Sequence, residues 1–337
     1  MAERTVAAPR PALPPPLDPG EISGLQAEIR ALARERDAVI LAHNYQVPEV
    51  QDVADYVGDS LGLSRRAAAG GAAVIAFCGV HFMAETASVL APDKTVLLPD
   101  LGAGCSLADT ITAADLRAWK AEHPGAVVVM YVNTSAEVKA ETDYCCTSGN
   151  AVAVVEHVRR EHGDDVEILF GPDRWLGTYV ERVTGRPLHL WTGDCHVHAG
   201  IAPPDIEATR AGHPRAQFLV HPECRATPAV IEHIATGDGA AARWHLLGTG
   251  GMLAYARRSP AREFVVATET GMLHPLRKEN PGKRFVPARR SAVCEYMKQI
   301  TLPKLRDALR DGRPEVRVPP AIAARARAPI DRMVAIS

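Results

Sequence analysis

The sequence predicts an α/β protein built from three similar parallel α/β domains, a pseudo-threefold internal repeat around a central active site. Three observations carry that prediction. Short apolar runs alternate with helical patterns along the chain, the arrangement that gives parallel sheets covered by helices. One order of features (strand, polar cluster, helix, strand, strand, cysteine) occurs three times. Equivalent residues recur at nearly constant spacing: His43, Tyr131 and His221 are 88 and 90 positions apart, and Cys105, Cys195 and Cys294 are 90 and 99 apart.

Taken in order, residues 1–20 form a flexible proline-rich tail with six prolines between Pro9 and Pro19. Unit 1 spans 21–120. It opens with a helix over Glu21–Arg36, whose Ile22, Leu25, Ile29 and Leu32 share one face. A strand over Asp37–Ala42 ends in His43-Asn-Tyr-Gln46. Gly58-Asp-Ser60 opens a helix to about Ala69, and strands follow at Ala72–Phe77 and Thr95–Leu98 with a helix, Met83–Leu90, between them. Gly102-Ala-Gly-Cys105 comes next. Unit 2 spans 121–210. Its first strand, Ala126–Met130, ends in Tyr131-Val132-Asn133. A helix opens at Cys146–Asn150. Strands at Glu167–Phe170 and Leu188–Trp191, with a helix over Arg174–Val183 between them, lead to Gly193-Asp-Cys195.

Unit 3 spans 211–293. Its strand Gln217–Val220 ends in His221-Pro222-Glu223, Gly248-Thr249 opens a helix, and strands at Glu263–Ala267 and Arg284–Val286 precede Cys294. The segment 294–337 brings that cysteine, a helix over Lys298–Leu309, a short strand at Val316 and Val318, and a last helix over Ala321–Met333 packing outside the units.

The composition is that of an ordinary soluble chain: 337 residues, 47% apolar, 23% charged, formal net charge −2. That charge offers no field for nucleic acid or an anionic membrane, and aromatics at 5% argue against base-stacking surfaces. No apolar run is long enough to span a bilayer, and the N-terminus lacks the apolar core of a signal peptide. Seven cysteines without a C-x-x-C form a poor disulfide framework and point to reduced thiols in the cytoplasm.

Three cysteines in equivalent positions point to a shared metal centre. Three thiolates without a fourth suit a 4Fe–4S cluster with one open iron that acts as a Lewis acid. Zinc is the alternative, held by three cysteines or by Cys195, His196 and His198 of the Trp191–Gly200 stretch. That C-H-x-H run equally fits a turn in which the histidines support a ligand or face solvent. Ser60, Ser148 and Thr249 each stand where a helix starts. One such residue is an ordinary cap, but three at matching positions suggest an anionic small molecule on helix N-termini. His43, Tyr45, Tyr131, Asn133, His221 and Glu223 cap the first strands and supply proton donors and acceptors suited to tautomerisation and dehydration, with Glu223 a candidate general base.

Seven ordered motifs resemble the quinolinate synthase family: Ala42-His-Asn-Tyr-Gln46, Gly58-Asp-Ser60, Gly104-Cys-Ser-Leu-Ala-Asp109, Tyr131-Val-Asn-Thr-Ser135, Cys146-Thr-Ser148, His221-Pro-Glu-Cys224 and Cys294-Glu-Tyr-Met-Lys298. The resemblance runs from about residue 37 to 310. It implies a triangle of three α/β domains and a 4Fe–4S cluster on Cys105, Cys195 and Cys294. It implies condensation of iminoaspartate with dihydroxyacetone phosphate to quinolinate, with loss of phosphate and water, in de novo NAD biosynthesis. By the same matching, Ser60 and Ser148 lie at phosphate and substrate-anion subsites. Tyr131, Val132 and Asn133 bind the iminoaspartate end, with His43, Pro222 and Thr249 beside it, and Tyr45, His221 and Glu223 move protons. A transient contact with the enzyme that supplies iminoaspartate is also implied. Two departures stand out. Gly248 occupies a position where many members have serine, and Ser291 and its neighbours replace extra cysteines found in some members. Cys78, Cys145, Cys146 and Cys224 are expected to be non-ligands, His196 structural and His198 the nearer to the site. Two rival functions are a zinc-dependent aldolase or hydratase on a phosphorylated metabolite, and a non-enzymatic iron–sulfur metabolite sensor.

Overall fold

A computed structural model describes residues 10–235 and 241–336. Among these, three separate four-stranded sheets form, all parallel and all wound in the same order. In the first sheet, β1 (Ala38–His43) is flanked by β2 (Tyr56–Gly58) and β3 (Val74–Cys78), and β4 (Thr95–Leu97) lies outside β3. The second repeats this with β5 (Val127–Tyr131) flanked by β6 (Tyr144–Cys146) and β7 (Ile168–Gly171), then β8 (His189–Leu190). The third has β9 (Gln217–Val220) flanked by β10 (Trp244–Leu246) and β11 (Glu263–Ala267), then β12 (Arg284–Pro287). Val, Ile, Leu and Phe dominate the central strands because helices cover both sheet faces. Ile40, Leu41, Val128, Val129, Leu219 and Val220 are accordingly buried.

This strand order matters for function. The chain reverses direction across the sheet between the first and third strand of each unit, so β1, β5 and β9 each border a switch point. Ligands of open α/β sheets bind at the carboxyl ends of strands there. The residues at those three ends are His43, Tyr131 and His221.

Several expectations need correction. The edge strands β2, β6 and β10 were not anticipated. The first two follow equivalent aspartates: Asp55 accepts the Ile40 N–H at 2.8 Å and Asp143 the Val128 N–H at 2.8 Å, tying each edge strand to its centre. Helices over Ala113–Glu122 and Pro203–Gly212 also join the units. The helix expected from Lys298 divides into a 3-10 turn, Met297–Gln299, and a helix, Leu302–Asp311, because Thr301 caps a new start through its contact with Lys304 N, with Pro303 in the first turn. Val316 and Val318 form no strand. A single antiparallel bridge, Glu315 to Leu97, and the Val316 N–H to Val96 carbonyl bond close the free edge of β4.

The last helix, Pro320–Ala335, packs on elements of both unit 1 and unit 2, and Asn150 donates to the carbonyls of Met333 and Ile336 near its end. Of the proline-rich tail, residues 1–9 lie outside the described residues. The rest does not stand free of the fold: Leu17 packs on the core, Arg10 pairs with Glu295, and Gln299 donates to the Ala12 carbonyl. Among the described residues no helix is long and apolar enough to cross a membrane.

Candidate active site and metal centre

The carboxyl ends of all three sheets face one cavity of about 720 Å³ including its mouth. Unit 1 contributes His43, Tyr45, Ser60 and Cys105 to its wall. Unit 2 contributes Tyr131, Asn133, Ser148 and Cys195. Unit 3 contributes His221, Glu223 and Thr249, and the segment that follows it adds Cys294. Residues from opposite ends of the chain thus meet because three identical windings point their switch points inward. Two expected site residues differ in kind. Val132 and Pro222 are buried, but their side chains are not in the cavity wall; the Val132 N–H is bonded to Cys146, and the Pro222 carbonyl accepts from Thr227.

Each cysteine opens a single helical turn of the same design. The N–H four residues on bonds back to the cysteine carbonyl: Asp109 to Cys105 at 3.1 Å, Ala199 to Cys195 at 2.8 Å, Lys298 to Cys294 at 3.2 Å. Each sulfur in turn accepts backbone N–H bonds, from Ala108 and Leu107, from His198 and from Met297. Two buried carboxylates orient the turns further. Asp173 accepts the Cys195 N–H at 3.2 Å, and Glu269 accepts the Cys294 N–H at 3.1 Å while pairing with Lys298 at 2.9 Å. Both acids sit two residues after the third strand of their units. Val80 takes that place in unit 1, so Cys105 lacks the equivalent anchor.

Burial pushes the Cys105 and Cys294 thiols up to about 12 and Cys195 well above its ordinary value. Thiolates form there only against a metal's positive charge. A second donor group shares this wall: one ligand atom each from Cys195, His198 and Glu223, all within 4.8 Å of one another.

His43 and His221 are set alike. Nδ1 of each accepts the N–H two residues on, from Tyr45 at 3.2 Å and from Glu223 at 3.4 Å, which leaves the proton on Nε2. His221 Nε2 then donates to Ser148 Oγ at 3.2 Å. Burial lowers both rings to about 3, so they are neutral near pH 7; Lys298 adds to the effect at His43, while Glu223 opposes it at both rings. Burial opposes ionisation of Glu223, but His221, His198 and a Tyr131 hydrogen bond outweigh it and hold that carboxyl at about 2. His198 stacks on His221 with ring centres 4.4 Å apart, and its Nδ1 meets Glu223 at 3.0 Å. Tyr45 bonds Thr268 at 2.6 Å and approaches His198 at 3.3 Å, and burial keeps its hydroxyl protonated. Among the described residues, two buried oxygens of the cavity wall lack a hydrogen-bond partner, Asn133 Oδ1 and Glu223 Oε1; His198 Nδ1, though close to Glu223, is out of line for a hydrogen bond. Both oxygens are therefore free to accept a hydrogen bond from a molecule in the cavity.

Ser60 and Thr249 are the first residues of helices Ser60–Ala69 and Thr249–Arg258, and Ser148 precedes helix Ala151–His162. Their caps are Asp59, Gly248 and Asn150, so the three hydroxyls are not themselves the capping groups. A Cβ at Gly248 would stand 2.9 Å from Ser148 Oγ, which explains glycine there in this chain. At Gly250 a Cβ would stand 2.5 Å from Asp59 Oδ2, so glycine lets units 1 and 3 close together.

The C-H-x-H stretch does not act as one metal site. Both histidines line the cavity, but the His196 ring nitrogens are taken up by Ser106 at 2.7 Å and Glu295 at 2.9 Å, whereas His198 stands against Glu223. Cys78, Cys145, Cys146 and Cys224 are buried, unpaired and absent from the cavity wall. Sequence reasoning missed Asp173, Glu269, Lys298 and Thr268. The two acids had a readable signal in their shared offset from the third strand, and Lys298 closes the Cys294-Glu-Tyr-Met-Lys298 motif; Thr268 had none.

The family profile described as quinolinate synthetase A protein matches residues 27–335. The chain is 55% identical over 312 residues to a quinolinate synthase of Thermus thermophilus, covering 93% of this chain and 97% of that protein. It is 53% identical over 325 residues to the quinolinate synthase of Mycobacterium tuberculosis strain H37Rv, covering 95% and 92%. It is 54% identical over 311 residues to that of Mycobacterium sp. strain KMS, covering 92% and 91%.

Proposed function

The chain belongs to the quinolinate synthetase A family, and on that premise we propose that it makes quinolinate for NAD biosynthesis in the cavity between its three units. The substrates we assign are iminoaspartate and dihydroxyacetone phosphate, condensed with loss of phosphate and water. The observation that carries this reading is the convergence of three equivalent cysteine turns on one cavity with a buried acid–base set. A sensor would need no such proton-transfer groups, and the kinship is with enzymes.

We assign a 4Fe–4S cluster to Cys105, Cys195 and Cys294. The donor set fits it: three thiols from three equivalent turns share one cavity wall, and each already receives N–H bonds that stabilise sulfur charge. When bound, such a cluster supplies a Lewis acid at the iron without a cysteine.

The chain's own residues do the rest. The hydroxyls of Ser60, Ser148 and Thr249 and the N–H groups at those helix starts hold phosphate and carboxylate. Asn133 Oδ1 lacks a partner and accepts from the imine or amine nitrogen, and Tyr131 orients a carboxylate. Glu223, ionised and beside the neutral imidazole of His221, takes a carbon-bound proton. The Nε2–H of His221 and the Tyr45 hydroxyl return protons to leaving oxygen.

A second reading rests on the group Cys195, His198 and Glu223, whose donor atoms suit a single zinc ion. The two separate on colour and on Glu223. An anaerobic preparation with iron, sulfide and both substrates yields quinolinate from a brown protein under the first reading. A colourless, zinc-containing protein of full activity supports the second and removes Glu223 as base.

A further inference from the structure

The holds on each cysteine described above are internal to its own turn or unit. Nothing in them fixes one cysteine relative to another. The residues that directly follow the three cysteines do. Ser106, His196 and Glu295 form one hydrogen-bonded line, with Ser106 Oγ 2.7 Å from His196 Nδ1 and His196 Nε2 2.9 Å from Glu295 Oε2. A single neutral tautomer satisfies both contacts: Nε2–H donates to the carboxylate and Nδ1 accepts from the serine hydroxyl. The line crosses between all three cysteine turns through one imidazole. It is shielded enough to matter, since the His196 and Glu295 side chains are each 21% exposed. Tyr296 lies edge-on to the ring at 6.0 Å. The line continues outward, because Arg10 reaches Glu295 Oε1 at 3.2 Å and Gln299 joins the Glu295 and Ala12 carbonyls.

We propose that His196 is a positioning residue that clasps the three cysteine turns at a fixed separation, with Ser106 and Glu295 as its two arms. The proposal deepens the cluster reading above and rests on it for its purpose, though not for its geometry. A ligand set drawn from three units otherwise depends on how each unit sits, and small rigid-body shifts would change the spacing of the sulfurs. A ring bonded on both sides removes that freedom at the point where the turns meet.

The test uses the full-length chain, metal-free and after anaerobic loading with iron and sulfide. His196→Phe keeps a ring and loses both bonds; His196→Gln keeps a polar group of similar reach. In the metal-free chain, His196→Phe is expected to speed backbone amide exchange about tenfold in both 102–110 and 290–300, far from residue 196 in sequence. Ser106→Ala added to His196→Phe should change nothing further, since the arm is already broken. In the loaded chain, cluster loss to a chelator should run about tenfold faster in His196→Phe and recover partly in His196→Gln. Exchange changes confined to 193–200 would overturn the clasp. If His196→Phe does not fold, Ser106→Ala and Glu295→Gln carry the same exchange test, and unchanged exchange in 193–200 in both overturns it. Failure of the wild-type chain to take up iron would count against the cluster while leaving the exchange result to decide the clasp.

Discussion

The proposed chemistry turns on Glu223. It is 2% exposed, ionised, and bonded by Tyr131 with His198 at 3.0 Å. Glu223→Gln keeps the shape and removes the proton acceptor. We expect quinolinate formation to fall by about 10²–10⁴-fold while iron content stays near wild type, read by product assay beside iron analysis. The two lowered histidines make a second prediction. Their folded-state values near 3 lie below the ordinary 6.5, so the unfolded chain binds more protons between those limits. Stability is therefore fully present above about pH 6.5 and lost as pH falls, by up to about 1.4 kcal/mol per pH unit for each ring. Denaturant unfolding of the metal-free chain at pH 7.5, 5.5 and 4.5 measures it, and His43→Asn should flatten part of the slope. Most cavity residues were legible in the sequence because they stand at repeat positions or in recognisable motifs. Thr268, outside the cavity wall, was not, since a lone threonine after a strand looks like a surface residue. Only the fold shows Thr268 bonding Tyr45 and Lys298 pairing with Glu269.

The strand ends and helix starts decide where those residues sit. The central strands were readable from apolar runs, and the helices from their period. The three-residue edge strands were not, because Gly58 and Cys146 also begin the next helix motif and mask the strand before it. A signal was present all the same: Asp55-Tyr56 and Asp143-Tyr144 are equivalent pairs whose aspartates bond the central strands at 2.8 Å. The short strand expected at Val316 failed for a different reason, as a single bridge to β4 needs no strand pattern. Close packing of helix starts gives a prediction at this scale. Gly250→Ala sets a Cβ 2.5 Å from Asp59, whose other oxygen caps helix Ser60–Ala69 through Gly62 N. Separating the two helices should cost about 1–3 kcal/mol and raise KM for the phosphorylated substrate more than it lowers kcat. Unfolding curves and steady-state kinetics on the same variant measure both effects.

At the scale of the molecule, the site exists only where three units meet. No unit carries a complete ligand set or a complete acid–base set. Threefold order was visible in the spacings of 88, 90, 90 and 99 residues. What spacing alone could not reveal is how the units are joined: the last helix bridging units 1 and 2, the tail resting on the Cys294 turn, and the Ser106–His196–Glu295 line. The claim most exposed to test is that one cysteine from each unit holds a shared iron–sulfur cluster that quinolinate formation requires. Anaerobic preparation of the wild type and of Cys105→Ser, Cys195→Ser and Cys294→Ser, with iron and sulfide quantified beside visible absorbance and quinolinate yield, addresses it directly. The account predicts about four irons and four sulfides per chain in the wild type, and loss of colour and product together in all three variants. Full quinolinate yield from a colourless Cys105→Ser or Cys294→Ser protein would contradict it.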